Sequence, residues 1–459
     1  MLLNPFQRAI ERVHGIPVMF GRFPVVGNLP AFLTDPVGLQ RRAAEALGPL
    51  FWIDLGVGHS LDLTVSGEEA FGLFKSPRVE SSHFFEQLEL FFGRSLIVTD
   101  GSSHRHVRSI LNRPFSPSGL QRVGVASLAR DALVGCVRAW RSRRRFRVLA
   151  ETQEATLRII FGVLGVRPHE LSEWRRRFRR YMLSAMPVPF RFPGSPHWVA
   201  RRARDWIDAS LRALIVQARH EPSDGLLSRI VHDHDDDGEP LSEQEVLDNL
   251  RLLVLAGHET TASALAWVML HLADDRRLWH RLCEEAFAID DVPGTPAQAR
   301  ACPLAEALFR EAVRLHPPVY TETRRLREPV SIGGHELPAG TIVTIPITLL
   351  SHDPHRYPDP ERFDPDRWLG REHKPSSIET CQFGGGPHFC LGYHLAVLEG
   401  VQLAAHRSVQ PWLDEFRFST LSAIQGAHSC ACGQTSTLRP WKHLIVEFFY
   451  MKNDCRSVK

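Results

Sequence analysis

The sequence predicts one large, mainly α domain with a small β part. Apolar residues recur at helical spacing along most of the chain, strand-like runs are few and clustered, and no Gly/Ser linker or internal repeat divides residues 1–459. A prior of ~150 residues per domain would allow about three domains, but no shift in composition marks a boundary. Helices are predicted over 37–47, 67–75, 103–113, 118–144, 150–164, 169–183, 197–220, 242–273, 275–288, 302–316 and 390–407. Ser242-Glu243-Gln244-Glu245, just after Pro240, is a capping-box pattern that opens the longest of them. Phe51 to Leu55 and Leu61 to Val65 flank Gly56-Val57-Gly58 and read as a hairpin. Val330 to Ile332 and Thr341 to Ile345, with Gly333-Gly334 between them, predict a second sheet region. Residues 352–368 are too rich in Pro and Asp for helix or central strand, and a long irregular stretch in a compact domain is usually functional.

Composition narrows the classes of function. At 43% hydrophobic and 23% charged residues the chain is ordinary globular protein, which excludes disordered, collagen-like and disulfide-stapled classes. A net charge of +3 supplies no polybasic pull toward nucleic acid. Only five of the 55 basic residues are Lys, a bias that reads as genome composition rather than function, although Arg suits carboxylate binding. Eight mostly isolated Cys form no disulfide framework, so a reducing cytoplasm is expected. Leu2, Leu3, Phe6, Ile10 and Val13 share one face of a short N-terminal helix that is expected to dock on the protein's own core. Leu252 to Leu272 has the length of a membrane span, but it contains His258 and Glu259, and a central acid costs ~2.5–3.5 kcal/mol on insertion. It therefore reads as a buried helix, and no transmembrane anchor is expected. The stretch from His232 to Gly238 reads as a solvated loop, and His428-Ser-Cys430-Ala-Cys432 matches no usual zinc spacing.

Three motifs carry chemistry. In Phe383-Gly-Gly-Gly-Pro-His388-Phe-Cys390-Leu-Gly392 the glycines permit a tight backbone approach and present Cys390 at a helix start, where a thiol's pKa falls. Taken alone, it reads equally well as a Gly-rich turn with an inert Cys. Ala256-Gly257-His258-Glu259-Thr260-Thr261 places an acid beside an alcohol inside an apolar helix, a pair able to relay protons. Taken alone, it is a polar kink in a core helix. Glu311-Ala-Val-Arg314 sits on one helical face, and as a surface ion pair it would contribute only ~0.3–0.5 kcal/mol.

Together and in this order, the motifs resemble those of the cytochrome P450 family, from about residue 24 to residue 406. The first resembles the haem-binding loop Phe-x-x-Gly-x-Arg-x-Cys-x-Gly, with His388 in place of Arg. The resemblance makes Cys390 the axial thiolate of haem iron and His388 a haem-propionate partner. The second resembles the oxygen-activation motif and makes Glu259 and Thr260 catalytic, with His258 at a variable position facing a neighbour rather than iron. The third resembles the Glu-x-x-Arg pair, and Pro360-Glu361-Arg362-Phe363 matches its partner, which implies a buried network of Glu311, Arg314 and Arg362. His104-Arg-His-Val-Arg108 resembles a His-x-x-x-Arg pattern whose side chains meet propionates. Arg324 occupies the position of another propionate ligand, with Arg325 a near-equal candidate. By position, 84–98 would be the loop over haem and 181–194 the lid. The tail from 410 to 459 does not match.

The resemblance implies a triangular, helix-rich fold in a single domain and a haem-thiolate monooxygenase with haem b. Electrons would come from NAD(P)H through a separate ferredoxin- or flavodoxin-type partner and its reductase. One oxygen atom of O2 would enter a hydrophobic terpenoid, steroid, fatty acid or polyketide. The alternatives are a peroxide-using or isomerising haem-thiolate enzyme, against which the intact Glu259-Thr260 pair argues, and a haem sensor.

Overall fold

The computed structural model describes residues 12–19, 21, 26–56, 61–81, 92–141, 147–185, 192–289, 292–370, 376 and 378–406. The expectations for Leu2, Leu3, Phe6 and Ile10 of the N-terminal face, for His428 to Cys432 and for the tail lie outside the described residues, as does much of the loop over haem and of the lid; Val13, expected on that helical face, instead lies buried in a strand, Arg12–Val13.

Helices begin where capping chemistry allows. The longest, Glu243–Asp274, starts at Ser242, whose hydroxyl accepts from the Glu245 amide while the Glu245 carboxylate accepts from the Ser242 amide at 2.9 Å. This central helix is the one segment apolar enough to span a membrane among the described residues, and most of it is buried inside the protein. It packs on helix Val148–Val163, on Pro303–Leu315 and on Tyr393–Ala404, and their apolar faces merge into one large core. The stretch expected as one helix over 118–144 is two, Pro117–Arg122 and Val125–Arg141. Gly124, at φ +67°, turns the chain between them in a conformation that Cβ-bearing residues resist.

The strands are β1 (Arg12–Val13), β2 (Ile16–Met19), β3 (Leu50–Asp54), β4 (Leu61–Val65), β5 (Val79–Glu80), β6 (Glu322–Leu326), β7 (Val330–Ile332), β8 (His335–Leu337) and β9 (Ile342–Ile345). The expected hairpin is β3–β4, antiparallel with Trp52 opposite Leu63. The second sheet region needs correction. β7 pairs with β8 alone, whereas β9 lies in the main sheet of order β1-β2-β3-β4-β9-β6-β5, parallel to β4 and antiparallel to β6. Val343 and Ile345 are fully buried there, which an independent hairpin could not achieve.

A buried ionic cluster ties the start of the central helix to its surroundings. Asp248 accepts from the Arg94 amide at 2.8 Å and pairs with Arg251, which also reaches Asp208 at 3.4 Å on helix Pro196–His220. Asn249 accepts from the Leu96 amide at 2.9 Å. The loop at 232–238 docks on helix Gly101–Phe115 through His106 and Asp235, 2.6 Å apart, and Asp235 also accepts from the amides of Asp237 and Glu239. No cluster suited to a metal ion occurs among the described residues.

Candidate active site around Cys390 and the central helix

The Gly-rich loop folds as it does because it is pressed against protein on one side. A Cβ on Gly386 would lie 1.9 Å from the Phe74 carbonyl oxygen, and one on Gly385 would lie 2.8 Å from the Phe74 side chain. Gly384 and Gly386 also have φ +74° and +60°. Gly384, Gly385 and Gly386 thus serve contact with helix Glu68–Lys75 and with Glu322 of β6. The Cys390 amide closes the loop by donating to the Phe383 carbonyl at 2.8 Å. Gly392 caps helix Tyr393–Ala404, and a Cβ there would meet no described atom within 4 Å.

Cys390 is a free, half-buried thiol. Burial pushes its pKa up, against the downward pull of the Gly392 amide and the Arg108 guanidinium, and the net shift is upward. The helix start alone therefore does not make the thiolate expected from the sequence. A coordinated metal ion would, because it deprotonates a ligating thiol outright.

His104 and Arg108 fall on one face of helix Gly101–Phe115, as their spacing requires. His104 is buried, its Nε2 has no hydrogen-bond partner among the described residues, and burial with the charges of His388 and Arg108 lowers its pKa to about 4. Arg108 is half-buried, and among the described residues no side chain accepts from its guanidinium; burial lowers its pKa while Cys390 opposes the shift. The His388 ring lies 4.1 Å from that of His104, and its Nε2 lies 2.9 Å from Asp100 Oδ1. Arg324 is buried over the Phe74 ring and donates to Glu322 at 2.7 Å, whereas Arg325 pairs with Glu80.

On the central helix the motif opens a gap in an otherwise buried surface. Ala256 is exposed and Leu255, Gly257, Glu259 and Thr260 are partly so, whereas Arg251 to Val254 before them and Thr261 and Ala262 after them are buried. The Thr260 hydroxyl donates to the Ala256 carbonyl at 2.7 Å. Glu259 and Thr260 are not hydrogen-bonded to each other. Glu259 instead turns toward helix Val148–Val163, accepting from Gln153 at 2.9 Å and lying 3.2 Å from His258 Nε2. Burial pushes the Glu259 carboxyl up, but His258, Gln153 and Arg179 together hold it below its usual range. His258 faces a neighbour, as expected, with its Nδ1 3.0 Å from the Thr156 hydroxyl. The same helix taps another central-helix carbonyl, since Thr152 donates to Ala262 at 2.8 Å. Neither Thr152 nor Thr156 belongs to a sequence motif.

Glu311 and Arg314 form a bidentate pair with no solvent exposure, both contacts at 2.8 Å. The expected third member is corrected. Arg362 is exposed and contributes its backbone carbonyl, which accepts from Arg314 at 3.2 Å. The guanidinium that reaches Glu311 is that of Arg367, at 3.0 Å, beside the Trp368 indole at 2.8 Å and the Asp364 amide at 2.9 Å. Pro360-Glu361-Arg362-Phe363 and Pro365-Asp366-Arg367-Trp368 carry the same proline, acid, arginine, aromatic pattern five residues apart, so the sequence held the signal for Arg367 as well.

These residues fit haem. Its iron needs a soft ligand and its carboxylates need donors; here a partly exposed thiol lies within the field of Arg108, and one turn earlier on the Arg108 helix a buried His104 nitrogen has no partner among the described residues.

Comparison with known proteins agrees. The family model for cytochrome P450 matches residues 17–420. The cytochrome P450 BJ-4 homolog of Sinorhizobium fredii is 39% identical over 406 residues, covering 88% of this chain and 90% of that protein. Cytochrome P450 BJ-4 of Bradyrhizobium diazoefficiens is 38% identical over 404 residues, with the same coverage of 88% and 90%. The solved structure of a retinoic acid-bound cyanobacterial CYP120A1 superposes with a TM-score of 0.74 at 26% identity, covering 85% of this chain and 90% of that one. The motif order, the helix-rich fold with its small sheet and these relatives converge: the chain belongs to the cytochrome P450 family and is a haem-thiolate monooxygenase.

Proposed function

We propose that this enzyme oxygenates a hydrophobic small molecule of terpenoid, steroid, fatty-acid or polyketide type in the cytoplasm. Its electrons come from NAD(P)H through a separate ferredoxin- or flavodoxin-type partner and its reductase. Bound at Cys390, haem supplies the activation of O2 and the transfer of one oxygen atom to the substrate. Arg108, His104 and His388 hold its carboxylates, and Arg324 joins them by exchanging its bond to Glu322 for one to a propionate. Glu311, Arg314 and Arg367, with the Arg362 carbonyl, brace the segment that precedes the haem loop. Glu259 accepts a proton and Thr260 passes it toward the reacting oxygen.

The observation that carries this reading is the exposed Ala256–Thr260 strip in the middle of a buried helix, with an acid and an alcohol at its edge. An apolar substrate suits such a wall, and the retinoic acid bound to the cyanobacterial relative is an apolar polyene acid of this general kind. The free thiols of Cys302, Cys381 and Cys390 support a reducing compartment.

The test is Thr260→Ala, assayed with a surrogate ferredoxin system and a substrate found by screening hydrophobic compounds for haem spin-state shifts. The variant should bind haem and substrate and still consume NAD(P)H. Product per NAD(P)H should fall several-fold as electrons escape into hydrogen peroxide. An unchanged ratio, with turnover driven equally well by added peroxide, would favour the peroxide-using alternative.

A further inference from the structure

Given that Glu259 supplies protons to the reaction, the position next to it in the motif has a role that the family pattern leaves open. His258 is buried and is held at both ring nitrogens. Its Nε2 lies 3.2 Å from Glu259 Oε1 and its Nδ1 lies 3.0 Å from Thr156 Oγ1. Three backbone carbonyls surround the Thr156 hydroxyl, those of Thr152 at 3.1 Å, Gln153 at 3.2 Å and His258 at 3.1 Å. A hydroxyl has one proton to donate. With that proton committed to a carbonyl, Thr156 offers His258 only a lone pair, and the ring must carry hydrogen on Nδ1. Nε2 is then the nitrogen free to exchange a proton with Glu259.

We infer that His258 is a positioning residue that stores the proton Glu259 delivers, and that Thr156 fixes the tautomer that lets it do so. The step balances as a single proton transfer. Imidazolium and carboxylate become an imidazole protonated at Nδ1 and a carboxylic acid protonated at Oε1, with Thr156 accepting from Nδ1 in both states. Gln153 donates to the other carboxylate oxygen at 2.9 Å throughout, so Glu259 need not turn while it changes charge. The charges around the pair are few. On helix Leu171–Tyr181, Phe178 lies edge-on to His258 at 5.6 Å, and exposed Arg179 acts on Glu259. On helix Val148–Val163, Glu154 is taken up by Arg158 at 2.8 Å and by Arg175.

The experiment uses the reduced, carbon monoxide-bound holoprotein labelled with 15N-histidine. The His258 signals are assigned by their loss in His258→Gln. In the wild type, the Nδ1 signal should be that of a protonated nitrogen. In Glu259→Gln the Nε2 signal should move toward that of an unprotonated nitrogen, since the imidazolium loses its counter-charge. In Thr156→Val the single tautomer should give way to a mixture. In turnover, His258→Gln keeps a donor toward Glu259 but has no proton to release. Its product per NAD(P)H should fall about tenfold and lose its pH dependence. A wild-type His258 that is neutral with hydrogen on Nε2 throughout overturns the inference, as does a His258→Gln coupling profile that superimposes on wild type. The wild-type spectrum decides even where the Gln variant loses haem. Absence of the thiolate-type carbon monoxide band would instead sink the haem-thiolate assignment at Cys390.

Discussion

Cys390 shows how much one residue depends on what binds it. Without a metal its thiol is pushed up by burial, and only the Arg108 charge and one amide oppose this. Cys390→Ser should therefore abolish the strongly red-shifted band of the reduced carbon monoxide complex while leaving the helices intact by circular dichroism. A histidine-type spectrum from folded wild type would refute the axial assignment. His388 is a subtler case. It links Asp100, which precedes helix Gly101–Phe115, to the His104 ring. His388→Arg should retain haem, since a larger cation there can serve both Asp100 and a propionate. His388→Leu should strand a carboxylate at a cost of ~1–3 kcal/mol and speed haem loss roughly tenfold or more. Equal haem-loss rates for wild type and the Leu variant would rule out that role. The placement of Cys390 just before a helix, and of Glu259 and Thr260 inside the longest helix, was legible because their motifs are short and local. Thr156 and Gln153 were not, because they meet the motif only through the packing of two helices.

Elements were legible where their start and stop signals are local. The capping box at Ser242 and helix Pro303–Leu315 fall within a residue of their expected bounds. Pairing across the chain was less so: β9 joins β4 from some 280 residues away, and no local pattern records that. The irregular segment shows the same limit. Two near-identical Pro-acid-Arg-aromatic stretches compete for one buried carboxylate, and only the packed structure selects the second. The two arginines should therefore differ sharply. Arg367→Ala removes a hydrogen bond to a buried charge, which costs ~1.5–3 kcal/mol. Arg362→Ala leaves the backbone carbonyl in place and should lie within ~0.5 kcal/mol of wild type. Glu311→Ala, which strands two guanidinium groups, should cost ~3–5 kcal/mol. Urea denaturation of the holoproteins would rank them, and equal loss for Arg362→Ala and Arg367→Ala would contradict the network.

At the scale of the whole molecule, one apolar core joins the central helix to the helix that follows Cys390, so an ionisable group buried on either acts on global stability. Glu399 is such a group. It lies on helix Tyr393–Ala404, almost fully buried, with Oε2 lacking a partner among the described residues, and burial raises its pKa from 4.5 to about 8. The folded protein therefore keeps the Glu399 proton after the unfolded chain has released it. Between pH 4.5 and about 8 the native state binds more protons, so this residue makes stability fall as pH rises through that window. Below 4.5 both states are protonated and the penalty disappears; across the full shift it is on the order of a few kcal/mol. Glu399→Gln keeps the shape and removes the titration. The variant should gain little over wild type near pH 5 and markedly more near pH 8, read as the difference in denaturation midpoints. A gain of the same size at both pH values would mean that Glu399 is ionised in the folded protein and has a counter-charge beside it.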